Sequence, residues 1–330
     1  MYKQVILIPV IIFTMFMTAE TLTASSSLLY IEAQGVGGYT SMGDNPVLYS
    51  MKQDDPMQKP SVGVDYIQKF STETGDFATL FFQGRAAYDA QEKNNIEPQV
   101  YNAYVVGKFP GVDIWAGHNR IALGLASYLD SHGLLLQPLG MMGYGFDRDW
   151  GAGISRDFEK ADLKIATSTG TGMGLYTRGN YLVTGRVSYG VLSQDNFNIG
   201  VSGAYGKILE TMGYDTMYDR PILFSMGSID ATLLWDNFEW RAEAISGKKD
   251  REVAYAVLNR FTVKLLDENR LSLEVQPVYT KADMGKDVIA YGGISYLITS
   301  YLTGRSMYSY SYLEKEHRII LQIYYYEKVI

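Results

Sequence analysis

The chain has 330 residues, a formal net charge of -7, 47% hydrophobic and 20% charged residues, and no cysteine. Its apolar and aromatic content excludes a disordered chain. The missing thiols exclude a disulfide framework and a thiolate metal site, and the acidic balance excludes a nucleic-acid partner.

The first element in chain order is an export signal. Lys3 precedes an apolar run over residues 5–17, and small residues at 24–26 suit cleavage. This divides the chain into a signal peptide, 1–24, and one domain, 25–330. No later run of 18 apolar residues occurs, so no helical membrane span is expected.

Beyond the signal, period-two alternation predicts about sixteen strands. They fall near 27–39, 61–71, 77–89, 98–109, 112–122, 149–158, 162–170 and 181–192. The series continues near 196–207, 222–235, 238–248, 253–266, 270–281, 287–298, 301–312 and 317–328. With the N-terminus in the periplasm, the connections on that side are short: "TETGD", "PG", "EKA", "SQD", "DN" and "DEN". Those on the other side, 41–60, 123–148 and 210–221, are long. A soluble sandwich has no reason to sort its loops by side, whereas outer-membrane barrels do. The expected fold is an all-β, transmembrane antiparallel β-barrel.

The hairpin "NYLVTGRVSYGVLSQDNFNIGVSGAYGKIL" sets the faces. Tyr181, Val183 and Val187 share one parity, and Arg186 takes the other. Arginine on the lipid face at the bilayer midplane costs about 2–4 kcal/mol, so the apolar parity faces lipid and Arg186 the lumen. The same alternation sends Phe82, Tyr101, Val105, Ile229 and Leu321 to lipid, and Arg85, Asn102, Arg241, Arg260 and Arg305 to water. In the fifth strand, Val112, Ile114, Ala116, His118 and Arg120 share a parity, placed in water for the sake of the last two.

The fifth strand, the connection after it and the start of the sixth strand read "VDIWAGHNRIALGLASYLDSHGLLLQPLGMMGYGFDRDWGAGISRD". Gly117 and Arg120 stand here ahead of the longest connection, that between strands 5 and 6. This resembles Gram-negative outer-membrane porins, and within them the phosphate-selective porin O and P group. The resemblance implies that 123–148 folds into the lumen and narrows it. It also implies a homotrimer in the Gram-negative outer membrane, among lipids and lipopolysaccharide. The chain departs from the porin pattern at its end, "YYYEKVI", which is not aromatic at the last residue.

Catalytic chemistry is not indicated. His118, His132 and His317 are scattered, and "DSHG" at 130–133 reads as a turn. "GTGMG" from Gly170 looks like a phosphate cradle but has no helix after it. No metal-ligand spacing or cofactor motif is present. The expected pore-lining and constriction residues are Arg85, His118, Arg120, Asp147, Arg148, Asp149, Arg186, Arg241, Arg260 and Arg305. Arginines around a narrow pore favour anions, and Asp147 and Asp149 oppose them from the loop side. The expected function is passive diffusion of small hydrophilic solutes or ions, with a preference for anions. The alternative is a barrel that sheathes a separate multihaem cytochrome.

Overall fold

Strands in lipid must have every backbone group paired, so a membrane sheet has to close on itself. The computed structural model describes residues 24–42, 45–47, 59–73, 75–89, 95–131, 133–282 and 285–330. Its long strands are β1 Ala24–Thr40, β2 Ser61–Thr72, β3 Gly75–Tyr88, β4 Ile96–Phe109, β5 Val112–Arg120, β6 Arg148–Asp157, β7 Ala161–Ser168 and β8 Tyr181–Tyr189. They continue as β9 Phe197–Ile208, β10 Ile222–Trp235, β11 Phe238–Lys249, β12 Glu252–Leu265, β13 Leu271–Ala282, β14 Gly285–Thr299, β15 Leu302–Ser311 and β16 Glu316–Lys328. Successive strands pair antiparallel, and β1 also pairs with β16, Gly35 opposite Ile323. The chain is a closed, sixteen-strand transmembrane β-barrel.

Two short pieces lie outside this count. Asn45–Val47 lies along the far end of β1, and Thr211–Met212 pairs with Asp215–Thr216 between β9 and β10. The expected signal peptide lies outside the described residues, apart from Ala24, the first residue of β1.

The β8–β9 hairpin has the predicted faces. Val187 stands opposite Val201, and the two are 56% and 61% exposed. Arg186 stands opposite Ser202, and both are buried inside the barrel. Its "SQDN" break closes as one helical turn, Leu192–Asp195, ended by Asn196 in the left-handed conformation that asparagine tolerates. Phe82, Ile114, Ile165, Ile229, Val257, Val275, Ile294 and Leu321 continue the exposed apolar band around the wall. Only lipid makes such a band stable.

Two strands change phase, and each corrects an expectation from sequence. In β4 the register with β3 slips by one residue, with Gln83 opposite Asn102 but Gly84 opposite Val100. The extra residue is Tyr101, which the bulge turns inward, and it is completely buried rather than lipid-facing. In β5, Ile114 is exposed and Trp115 buried, the reverse of the expected parity. Gly117 then adopts φ +130°, and a Cβ there would collide with the backbone of Ala103 and Tyr104. This is a conformation for glycine alone. Beyond it the alternation resets, with His118 buried and Arg120 half-buried.

The hydrophobic core sits within the barrel. Leu182, Ile208, Phe224, Ile245, Leu258 and Val278, from β8 to β13, face inward and pack with Ile121, Leu123, Leu125, Leu129, Leu139 and Phe146. The sequence carries a signal for this: the inward parity of these strands is apolar toward one end and polar or charged toward the other, the order along the chain alternating from strand to strand.

Candidate functional site

The connection between β5 and β6, residues 121–147, contains two single turns, Gly124–Ser127 and Leu139–Met142. Gly124 has φ +52°, and a Cβ there would collide with the Glu243 carboxylate on β11. Glycine at this position lets the backbone come against the wall, and its N–H donates to Ser202 Oγ on β9 at 2.9 Å. Further along, Leu135 and Leu136 pack on Val36, Met307 and Ile320 of β1, β15 and β16.

Wall side chains hold this connection by its backbone carbonyls. Arg120 Nη1 donates to Tyr128 O at 3.0 Å, and Lys164 Nζ to Ser127 O at 3.3 Å. Arg260 Nη2 donates to Leu136 O at 2.8 Å, and Gln276 Nε2 to Gln137 O at 2.9 Å. The donors come from β5, β7, β12 and β13. Tyr128 adds side-chain bonds to Asp230 at 3.2 Å and Thr232 at 2.9 Å.

The ten residues singled out from the sequence fall into separate environments. Arg85 is paired with Glu32 of β1 and lies 4.6 Å above the centre of the Tyr101 ring. Arg186 binds both oxygens of Asp230, at 3.1 and 2.7 Å, donates to Asn198 at 2.6 Å, and lies over the Tyr128 ring. Arg241 pairs with Glu239 at 2.7 Å. Arg260 and Arg305 bond to the amides of Gln276 and Gln322, and neither has an ion-pair partner among the described residues.

Arg120, Asp147 and Arg148 meet around Asp130, which the sequence pattern left in a turn. Asp130 Oδ2 faces Arg120 Nη2 and Oδ1 faces Arg148 Nη2, each at 3.1 Å. Arg148 also pairs with Asp147 and donates from Nε to Asn102 at 3.0 Å.

His118 and Asp149 have other surroundings. His118 is fully buried, its ring 4.9 Å from that of Trp150. The fully buried Asp149 carboxylate accepts from the N–H groups of Gly170, Thr171 and Gly172 and from Thr169 Oγ1. The glycine-rich stretch is thus an anion cradle, filled by a carboxylate of the same chain.

A cavity of about 520 Å³ opens beside Tyr128, lined among others by Phe158, Asp162, Lys164, Arg186 and Asn198. It lies at the short-turn end of β6 to β9. The sequence pattern also left unnoticed an arc of inward rings. Tyr30 stacks on Tyr326 at 4.9 Å, and Phe81 on Tyr104 at 4.7 Å. All four stand on the parity that carries the charges, which is the signal that finds them.

Sixteen closed antiparallel strands, a lipid-facing band and a charged interior define a transmembrane barrel of porin architecture. No family model matches the chain, and no curated protein matches its sequence. Solved structures of outer-membrane proteins, porins among them, match its fold. OmpT of Vibrio cholerae, in a form lacking loop L8, superposes with a TM-score of 0.66 at 12% identity, over 92% of this chain and all of that one. The anion-selective porin from Comamonas acidovorans gives 0.63 at 10% identity, over 92% and 100%. Salmonella typhi OmpF, in a complex with daunomycin, gives 0.62 at 14% identity, over 91% and 97%.

Proposed function

We propose that this chain is a non-enzymatic outer-membrane porin, exported by a cleaved signal peptide, through which small hydrophilic solutes and ions diffuse passively. The observation that carries this reading is the set of wall donors on β5, β7, β12 and β13 that grip the backbone of 121–147. A connection gripped from so many strands acts as an inward-folded constriction. Kinship with the phosphate-selective porin O and P group rests on Gly117, Arg120 and the placement of that connection.

Selectivity is weak, because most inner arginines are neutralised by partners. A residual preference for anions is carried by Lys164, Arg260 and Arg305, which have no ion-pair partner among the described residues. The lumen packing of Leu125, Leu136 and Leu139 favours a channel over a sheath for a threaded multihaem cytochrome, since such a partner needs that space. Assembly as a trimer is in keeping with one of the Vibrio cholerae OmpT structures, described as a trimer form.

The test is conductance of the purified full chain in planar bilayers, with reversal potential under a potassium chloride gradient. Stepwise conductance with a small shift toward the chloride potential supports the reading. A folded barrel that conducts nothing in any salt overturns it.

A further inference from the structure

The constriction has one ion-pair arrangement shaped like a ligand site. Asp130 places one carboxylate oxygen on each of two guanidiniums, from strands adjacent in the wall. The remaining contacts of both arginines hold them in place without Asp130. Arg120 is fixed by the Tyr128 carbonyl, and Arg148 by Asn102 and Asp147. The Arg148 guanidinium also lies 5.3 Å from the centre of the buried Tyr101 ring.

Exposure separates the partners. The Asp130 side chain is 51% exposed, that of Arg120 24%, and that of Arg148 1%. The carboxylate is the part that water reaches, and it covers the more buried cation. Guanidiniums preset in this way recognise a carboxylate through parallel charge-assisted hydrogen bonds.

We infer that Arg120 and Arg148 form a binding site for carboxylate solutes and that Asp130 is its built-in competitor. A permeating carboxylate takes the place of Asp130 on the two guanidiniums. The internal carboxylate is tethered nearby, at an effective concentration of about millimolar, so it lowers the apparent affinity of any solute carboxylate for the pair. This inference rests on the channel reading and adds a solute class to it.

The experiment uses succinate and the folded full-length protein in detergent, with binding followed by calorimetry and folding by heat-modifiable mobility. Asp130→Asn removes the competitor and is expected to bind succinate roughly tenfold tighter than wild type. Arg120→Gln added to Asp130→Asn is expected to abolish the binding. Asp162→Asn removes an equal charge elsewhere on the inner wall and is expected to stay within about twofold of wild type. Asp130→Ser serves in the same role should the asparagine variant fail to fold.

Equal gains from Asp130→Asn and Asp162→Asn would reduce the effect to general charge and overturn the site. So would binding by Asp130→Asn that is no tighter than wild type, or that survives the loss of Arg120. A response to inorganic phosphate but not to succinate would overturn the carboxylate assignment. Chloride conductance, measured separately, tests the channel reading, so a conducting protein without these succinate effects refutes this inference alone.

Discussion

Arg260 on β12 and Gln276 on β13 are hydrogen-bonded neighbours, Nε to Oε1 at 2.7 Å. Each passes its other donor to the connection between β5 and β6, Arg260 to Leu136 O and Gln276 to Gln137 O. Two adjacent wall residues thus hold two consecutive carbonyls, more than a hundred residues away in sequence. A hydrogen bond from a charged donor contributes about 1.5–3 kcal/mol. Arg260→Met keeps the barrel but loosens this grip. Single-channel conductance and amide exchange at 134–137 should both rise, and unchanged values in both would show that the apolar packing alone seats the connection.

The anion cradle of Asp149 leads to a separate expectation. Removing the carboxylate leaves the N–H groups of Gly170, Thr171 and Gly172 without their acceptor, at about 1–3 kcal/mol for a buried donor. Asp149→Ala should therefore expose 169–176 to proteolysis, while heat-modifiable mobility still reports a folded barrel. Resistance equal to wild type would mean that the neighbouring bonds suffice, among them Leu209 N to Gly170 O at 2.9 Å.

The lipid face sets a third. Val187→Arg places a charge on an outward side chain that is 56% exposed, at about 2–4 kcal/mol near the midplane. Gln194→Arg, at the rim of the cavity, should cost little. The urea midpoint of folding into vesicles separates the two, and equal midpoints would place Val187 away from hydrocarbon.

Tyr214 gives a fourth. The β4–β5 pairing runs out near Ala103 and His118, and the Val100 N–H beyond it donates to Tyr214 Oη at 2.7 Å. Burial pushes the Tyr214 phenol up to about 12, so at neutral pH it is an uncharged acceptor. Tyr214→Phe removes the acceptor and keeps the ring. Exchange of the Val100 amide, followed by mass spectrometry, should quicken, and protection equal to wild type would mean that another acceptor replaces the phenol.

Sidedness is the fifth. An epitope tag inserted at Asp219, in a long connection, should be reached by antibody on intact cells, whereas one at Asp236, in a two-residue turn, should not. Labelling at Asp236 would invert the barrel in the membrane.

The strands, their faces and the uneven connections were legible in the residues, because period-two alternation is a local property that lipid and water enforce at every step. Arg186 could be placed inside and Val187 outside from a dozen residues of sequence. Where the local rule breaks, alternation misleads. Tyr101 turns inward through a bulge defined by its register with β3, and β5 resets at a glycine whose φ is positive because of its closeness to β4. Partnership is likewise non-local. Charge and parity put His118 and Asp149 in the pore, but a tryptophan and three backbone amides from other segments claim them. The apolar inner wall of β8 to β13 needed a cover, and only tertiary structure could name Leu125 and Leu139 as that cover. It also brought Asp130 between Arg120 and Arg148, because closing a sixteen-strand sheet decides which distant residues share the lumen, and alternation along one strand carries no record of that.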